Sequence, residues 1–475
     1  MFLRWIDPHT RRSVALAAVV LSVTGLVLAD RGGGTAGPST APLIARDDGP
    51  SATALPIEGG GVRGRFAVSH GRLLASGTRS MYAEIRVRAE EASDVAEARA
   101  PVAMVLVIDT SGSMAGQKIE DARRAAIAVL DEMQPDDLVS VVRFATQAEV
   151  LVPLSRVADV RVEARRQIER LKAIGNTDIA NALRNADRVL GWTRDGRIGR
   201  IVLVTDGRDT SGAPRSTGSD VARAEASRGF TVSALGIGTD FDDAYLASIS
   251  DAGRGNYEFL RDTTALARFL SKELREATRT RVRNLEAHLT LPPDVRIRDV
   301  WGATWDGNRL SFGSLFAGDE RRAVVSLEVS AGAPGSSIEL GGSLSWRSVD
   351  GSPHEVDLSR LRVTMVKSPQ EVDEGRDMSV VASATSVIAS KRETEAAMAF
   401  ERGDRARALE LNAQNRVELD KVRRAAPPAV ASQLDAQKRA YEGHQGTFAT
   451  APPSPTTARD IGAQERKNAD RSLAY

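Results

Sequence analysis

Four short, charge-free, β-branched runs, at residues 104–108, 139–142, 201–204 and 232–237, most constrain how this chain can fold. Such runs suit strands buried on both faces, the condition of a parallel sheet covered by helices. Between them apolar residues recur at helical spacing, as Ile119, Ala122, Ala126, Ile127, Leu130 and Met133, then Ile179, Ala182, Leu183, Ala186 and Leu190. A third stripe, Leu266, Phe269, Leu270 and Leu274, follows the last run. Alternating strands and amphipathic helices predict a doubly wound, mostly parallel α/β domain over 101–280.

The flanks have a different period. Ala83, Ile85 and Val87 alternate with Glu84, Arg86 and Arg88, and Leu285, Ala287, Leu289 and Leu291 alternate with Asn284, Glu286, His288 and Thr290. Further strand-like runs at 323–329, 336–346 and 358–366 are separated by turn residues such as Asp350 and Gly351. Period-two patterning of this kind predicts an antiparallel β-sandwich. Segments 62–100 and 281–367 are read as two parts of one sandwich, with the α/β domain inserted between them. The polar stretch 377–425, with a turn at Gly403 and Asp404, reads as a helical hairpin, and the Gln-, Ala- and Pro-rich 426–475 as a disordered tail.

At the N-terminus Arg4, Arg11 and Arg12 precede an uncharged run at 14–29. This is the pattern of an export signal, and its length is compatible both with cleavage after Ala29 and with retention as a membrane anchor. Either way the body is expected outside the cytoplasm, in the periplasm or at the cell surface, and retention would add membrane association through this segment. Residues 30–61, rich in Gly, Pro, Ser and Thr, read as a flexible tether. With 64 basic and 63 acidic residues the formal charge is +1, which makes no electrostatic case for a nucleic-acid partner, and no cysteine is present for disulfides, thiolate metal ligation or cysteine nucleophiles. Five histidines, at 9, 70, 288, 354 and 444, share no metal-ligand spacing and are read as surface residues.

The chemistry concentrates after the first buried run. Asp109, Ser111 and Ser113 form D-x-S-x-S at a strand's carboxyl end, just before a helix. Alternate side chains in such a turn can converge above the sheet, where open α/β folds bind ligands. Thr177, in the Gly175-Asn176-Thr177 loop, and Asp206, in Thr205-Asp206-Gly207, occupy comparable places. Five hard oxygens suit Mg²⁺, or else Mn²⁺ or Ca²⁺; Mg²⁺ takes about six oxygens at roughly 2.0–2.1 Å and keeps waters readily. Two other readings compete. Ser113 and Thr177 could merely cap helices. Asp109, Ser111, Ser113 and Glu120 also stand at positions 1, 3, 5 and 12 of an EF-hand loop, but Met114 occupies the place that needs glycine. Asp209, Asp240, Asp242 and Asp243 are loop acids near the same edge, candidates for specificity or a second ion.

With the G-x-T-x-I-x-x-A-L pattern at 175–183 and the V-T-D-G at 204–207, the five residues resemble the metal-ion-dependent adhesion site of von Willebrand factor type A (VWA) domains. The resemblance covers roughly 180 residues and implies that Ser111, Ser113 and Thr177 touch the metal while Asp109 and Asp206 act largely through water. It also implies a protein partner whose Asp or Glu completes the coordination. The whole organisation is similar to bacterial membrane-associated VWA proteins and, more distantly, to inter-alpha-trypsin inhibitor heavy chains. No nucleophile elbow, phosphate-binding loop or zinc-protease motif is present. The expectation is therefore a binding protein and not an enzyme, with a Mg²⁺-dependent enzyme subunit or an envelope assembly factor with a non-essential metal as rivals.

Overall fold

The computed structural model describes residues 53–91, 99–191, 196–238, 242–260 and 265–472. The expected signal or anchor and most of the expected tether lie outside these residues. Strands β1 (Ala54–Gly59), β2 (Val62–Val68), β3 (Arg72–Leu74) and β4 (Arg79–Ala89) come first. The end of the expected tether is thus ordered: β1 pairs antiparallel with β2, turning through Gly60 and Gly61 at positive φ, so the glycines make a hairpin.

The inserted domain runs β5 (Val102–Asp109), α1 (Gln117–Glu132), β6 (Leu138–Phe144), β7 (Ala148–Arg156), α2 (Val157–Glu169), α3 (Ile179–Leu190), β8 (Ile198–Thr205), α4 (Ser216–Ser227), β9 (Thr231–Ile237), α5 (Asp243–Ala252), β10 (Arg254–Leu260) and α6 (Leu266–Thr278). Its sheet order is β10-β9-β8-β5-β6-β7, parallel except for β7. All eight residues of β5 are buried, as a central parallel strand requires. Met104, Leu106 and Ile108 pack with α1, α2 and α6 through Val129, Ile168 and Phe269, while Ala103, Val105 and Val107 meet Leu183, Ala222 and Leu246 of α3, α4 and α5. Each large apolar side chain so buried contributes roughly 1.5–3 kcal/mol. The chain leaves β5 for β6 on one flank and leaves β8 for β9 on the other, so a crevice opens between the carboxyl ends of β5 and β8.

The second half of the sandwich is β11 (Thr280–Thr290), β12 (Val295–Trp301), β13 (Thr304–Asp306), β14 (Arg309–Phe316), β15 (Glu320–Val329), β16 (Ser337–Ser348) and β17 (Pro353–Val366). One sheet is ordered β1-β2-β4-β15-β12 and the other β13-β14-β11-β16-β17-β3, so strands from before and after the insertion pair in both. Ala100 N donates to Thr278 O at 3.0 Å where the insertion begins and ends. Phe66, Ile85 and Leu327 of one sheet share a core with Leu285, Leu344 and Leu361 of the other.

Helices α7 (Pro369–Glu374), α8 (Met378–Glu401), α9 (Arg405–Arg423), α10 (Pro428–Thr450) and α11 (Pro455–Ser472) complete the chain. The expected tail is thus helical up to residue 472, and the expected hairpin, α8 and α9, is half of a larger bundle. In α10 the buried Leu434, Tyr441 and Phe448 are seven residues apart, one narrow seam on an otherwise polar helix. That seam is too sparse to register as an amphipathic stripe. Val324, Ala384 and Val387 bury one another where α8 lies on the first sandwich sheet, with Tyr82 and Trp301 alongside. His444 is buried in this bundle, its Nδ1 3.0 Å from Glu393, which corrects its reading as a surface residue.

Candidate metal site

Asp109 ends β5 at the crevice, wholly buried. Its Oδ1 accepts from Ser111 N at 2.7 Å, which bends the chain into the single 3-10 turn Gly112–Met114. Its Oδ2 accepts from Thr205 Oγ1 at 2.5 Å and so ties the end of β5 to that of β8. Ser111 Oγ and Ser113 Oγ stand 3.1 Å apart, and Ser113 Oγ donates to Asp206 Oδ1 at 2.8 Å. Four of the five expected residues are therefore joined by hydrogen bonds.

Thr177 arrives from the third loop. Gly112 N donates to Gly175 O at 2.9 Å, and Thr210 and Thr177 exchange backbone and hydroxyl bonds of 2.8–3.1 Å, which clamps the loop between the other two. A methyl on Gly207 would lie 3.0 Å from Thr177 Oγ1 and 3.6 Å from Ser113 Oγ, so both hydroxyls border the space that this glycine keeps clear. Thr177 is nearly buried at 5% exposure, yet its hydroxyl makes no hydrogen bond among the described residues. The hydroxyl is not among the sealed, partnerless atoms of the interior, so it opens onto the crevice, where water or a ligand can meet it.

Neither competing reading survives. Helix α1 is capped at Gly116 with no side-chain bond, and α3 by Asp178, whose Oδ1 accepts from Asn181 N at 2.9 Å, so Ser113 and Thr177 cap neither helix. Glu120 pairs with Arg123 at 2.8 Å and not with the D-x-S-x-S turn. Of the loop acids, Asp209 accepts from Ile179 N and Ser211 N, and Asp242 caps α5 and pairs with Arg215 at 2.6 Å. Asp243 is the first residue of α5, not a loop residue, and Asp240 lies outside the described residues.

Three participants went unremarked in the sequence. Thr205 stood in the V-T-D-G pattern itself, and Gly207 is legible only as a cradle once Thr177 is placed. Lys118 is the second residue of α1, and its Nζ bonds Asp206 Oδ2. An ammonium thus supplies positive charge beside two buried carboxylates. Burial pushes the Asp109 carboxyl up to about 6, against the hydrogen bonds from Thr205 and Ser111, and Asp206 adds to the rise. The donor set is all oxygen and the local demand is for positive charge, so the residues fit a hard divalent cation. Among the described residues no group of three or more His, Asp or Glu is arranged to hold a metal, and the hydroxyls are what make this set a candidate.

Residues 104–208 match the sequence model of the von Willebrand factor type A domain. The chain is 25% identical over 227 residues to an uncharacterized protein of Synechocystis sp., covering 48% of this chain and 54% of that one. To inter-alpha-trypsin inhibitor heavy chain H4 of Homo sapiens it is 35% identical over 162 residues, 32% of this chain and 17% of that one. The chain thus spans about half or less of the length of these relatives. Among solved structures, a von Willebrand factor type A protein from Catenulispora acidiphila superposes with a TM-score of 0.64 at 20% identity, covering 89% of this chain and 98% of that one. The ArnB paralog VWA2 from Sulfolobus acidocaldarius gives 0.60 at 14% identity, covering 86% and 99%. The inserted segment is a VWA domain. At these identities the structural likeness extends the shared fold, though not a shared activity, to the sandwich and helices.

Proposed function

We propose that this protein is an extracytoplasmic, non-enzymatic binding protein whose VWA domain holds a divalent cation and presents it to an acidic protein partner. The observation that carries this reading is the convergence of Ser111, Ser113 and Thr177 hydroxyls with Asp109 and Asp206 at the β5–β8 crevice. Ser111, Ser113 and Thr177 would hold the ion through neutral oxygens, and Asp109 and Asp206 would balance its charge from behind. When bound, Mg²⁺ would supply an electrophilic centre with a position left for a carboxylate. Export rests on Arg4, Arg11 and Arg12 ahead of the uncharged 14–29 run, a segment outside the described residues. Among the described residues no helix is long and apolar enough to cross a membrane.

Titration calorimetry with Mg²⁺, Mn²⁺ and Ca²⁺, repeated on Ser113→Ala, tests the site. Capture of partners from detergent-solubilised cells with and without chelator tests its use. Heat that is lost in the variant, with chelator-sensitive capture, supports the proposal; capture indifferent to chelator refutes it. A second reading, an envelope assembly factor that needs no metal, is favoured by the Lys118–Asp206 ion pair, which compensates charge without one. The same capture experiment separates the two.

A further inference from the structure

The period-two pattern of β4 leads one to expect Glu84, Arg86 and Arg88 on a solvated face, yet Glu84 is fully buried and the helical bundle covers that face. Between sheet and bundle lies a cavity of about 440 Å³. Its sheet wall carries Arg65, Arg86 and Arg322, which sit directly opposite one another across three neighbouring strands: Arg65 pairs with Arg86 in the β2–β4 register and Arg86 with Arg322 in the β4–β15 register. Like charges placed opposite in a sheet oppose its pairing. Three in a row, under a roof of helices, are a cost that a structural role does not explain.

Two carboxylates offset the row only in part. Arg65 donates through Nε and Nη2 to Glu84 Oε1 at 3.1 and 2.7 Å, Arg322 stands 3.4 Å from the other oxygen of Glu84, and Arg86 donates through Nε to Glu320. Three guanidinium groups thus share two carboxylates in these contacts, and Arg322 turns its Nη1 to Ser383 Oγ at 2.8 Å. Neither Nη of Arg86, nor Nη1 of Arg65, has an acceptor among the described residues. Burial pushes Arg322 down to about 10, with Glu84 working against it and Arg86 and Arg65 adding to it. The helix wall offers neutral polar side chains, among them Ser379 and Gln433, and among the described residues no Asp or Glu lines the cavity. Val430, in the first turn of α10, also lines it, and that helix begins at Pro427 with no side-chain cap, its positive end left uncompensated.

We propose that this cavity is a second ligand site, independent of the metal crevice, that takes a small phosphomonoester. Its volume is within the roughly 300–1,000 Å³ of small-molecule pockets. A carboxylate would be satisfied by a single guanidinium fork, whereas a phosphate group carries about −1.5 to −2 charges and three acceptor oxygens, which suits donors from several strands and a helix wall together.

The test is calorimetric titration of the full chain with glycerol 3-phosphate and inorganic phosphate in metal-free buffer at constant ionic strength, with acetate and citrate as carboxylate arms. Saturable binding of the phosphates is expected, weakened about tenfold in Arg86→Gln and tightened severalfold in Glu320→Gln, which frees Arg86 and removes a negative charge. Because the two variants move affinity in opposite directions, general loss of folding cannot imitate the result; their melting curves verify that each is folded. Absence of saturable heat with both phosphates, or equal affinity in wild type and Arg86→Gln, overturns the site. Tighter binding of citrate than of glycerol 3-phosphate overturns the ligand class.

Discussion

Two of the polar clusters buried among the described residues are built in opposite ways. At the β5–β8 crevice the hydroxyls of Ser111, Ser113 and Thr177 border one small space, and that of Thr177 bonds to nothing described. In the helical bundle Glu393, Asn412, Asn415, Tyr441, His444 and Glu465 are equally deep, but they bond to one another. Glu393 accepts from Asn412 at 2.8 Å and Asn415 at 2.9 Å and lies 3.0 Å from His444, while Tyr441 donates to Glu465 at 2.8 Å. Apart from Asn412 Oδ1, which has no partner among the described residues, the bundle groups are spent on one another and fix the geometry of a core, whereas the crevice oxygens border one shared space and keep lone pairs for a ligand. Depth of burial alone does not separate a site from a strut. Where the lone pairs point does.

The contrast can be broken most forcefully in the bundle. Glu393→Ala takes one acceptor from Asn412, Asn415 and His444, of which Asn412 keeps Tyr441 O and Asn415 keeps Ala389 O, and is expected to cost about 3 kcal/mol of stability, read by guanidinium titration of the full chain, with divalent-cation heats at the crevice unchanged in the folded protein. Next in size is a pH effect. Burial, opposed by Tyr441 and His444, pushes the Glu465 carboxyl up to about 7. The native state then binds more protons than the unfolded chain between its ordinary value of 4.5 and about 7. This contribution to stability is full below the lower value and is lost as pH rises through the upper one, a difference on the order of 2 kcal/mol. Glu465→Gln should flatten it, seen as the wild-type minus variant melting temperature compared at pH 5 and pH 8.

At the crevice the expectation reverses, with large effects on binding and small ones on folding. Asp109→Asn preserves the shape of the buried group and is expected to weaken Mg²⁺ at least tenfold by calorimetry, about 1.4 kcal/mol, while the melting temperature moves by only a few degrees. Gly207→Ala places a methyl 3.0 Å from Thr177 Oγ1 and should weaken the cation severalfold for about 1 kcal/mol of stability. The smallest effect is a control: Arg143→Ala removes the exposed Arg143–Glu149 pair at the β6–β7 edge and should cost at most about 0.5 kcal/mol. A Glu393→Ala protein that loses cation heat while folded would show that the two clusters are coupled after all.

Much of the α/β domain was legible because its strands are apolar on both faces. The run at 104–108 lies inside β5 and that at 139–142 inside β6, and the stripes ending at Met133, Leu190 and Leu274 mark α1, α3 and α6. Strands β7 and β10 escaped, because edge positions leave them half-buried with no clean alternation. Helices α4 and α5 are short and present few large apolar residues. The bundle was misread for a related reason: its seams are narrow, and its interior includes Glu393, Asn412, Asn415 and Glu465, residues that composition assigns to solvent.

By itself the sequence determined the order of local elements and which loops carry oxygen, since strand and helix periods and the D-x-S-x-S spacing are properties of neighbouring residues. Only the tertiary structure decided which oxygens meet. Strand order brings Asp206 to Asp109 across 97 residues of chain, a polar sandwich face becomes an interior wall, and Lys118, near the start of α1, becomes the partner of Asp206. The reason is that pairing between distant strands and the docking of whole layers depend on the summed burial of many side chains, a quantity that no local window contains.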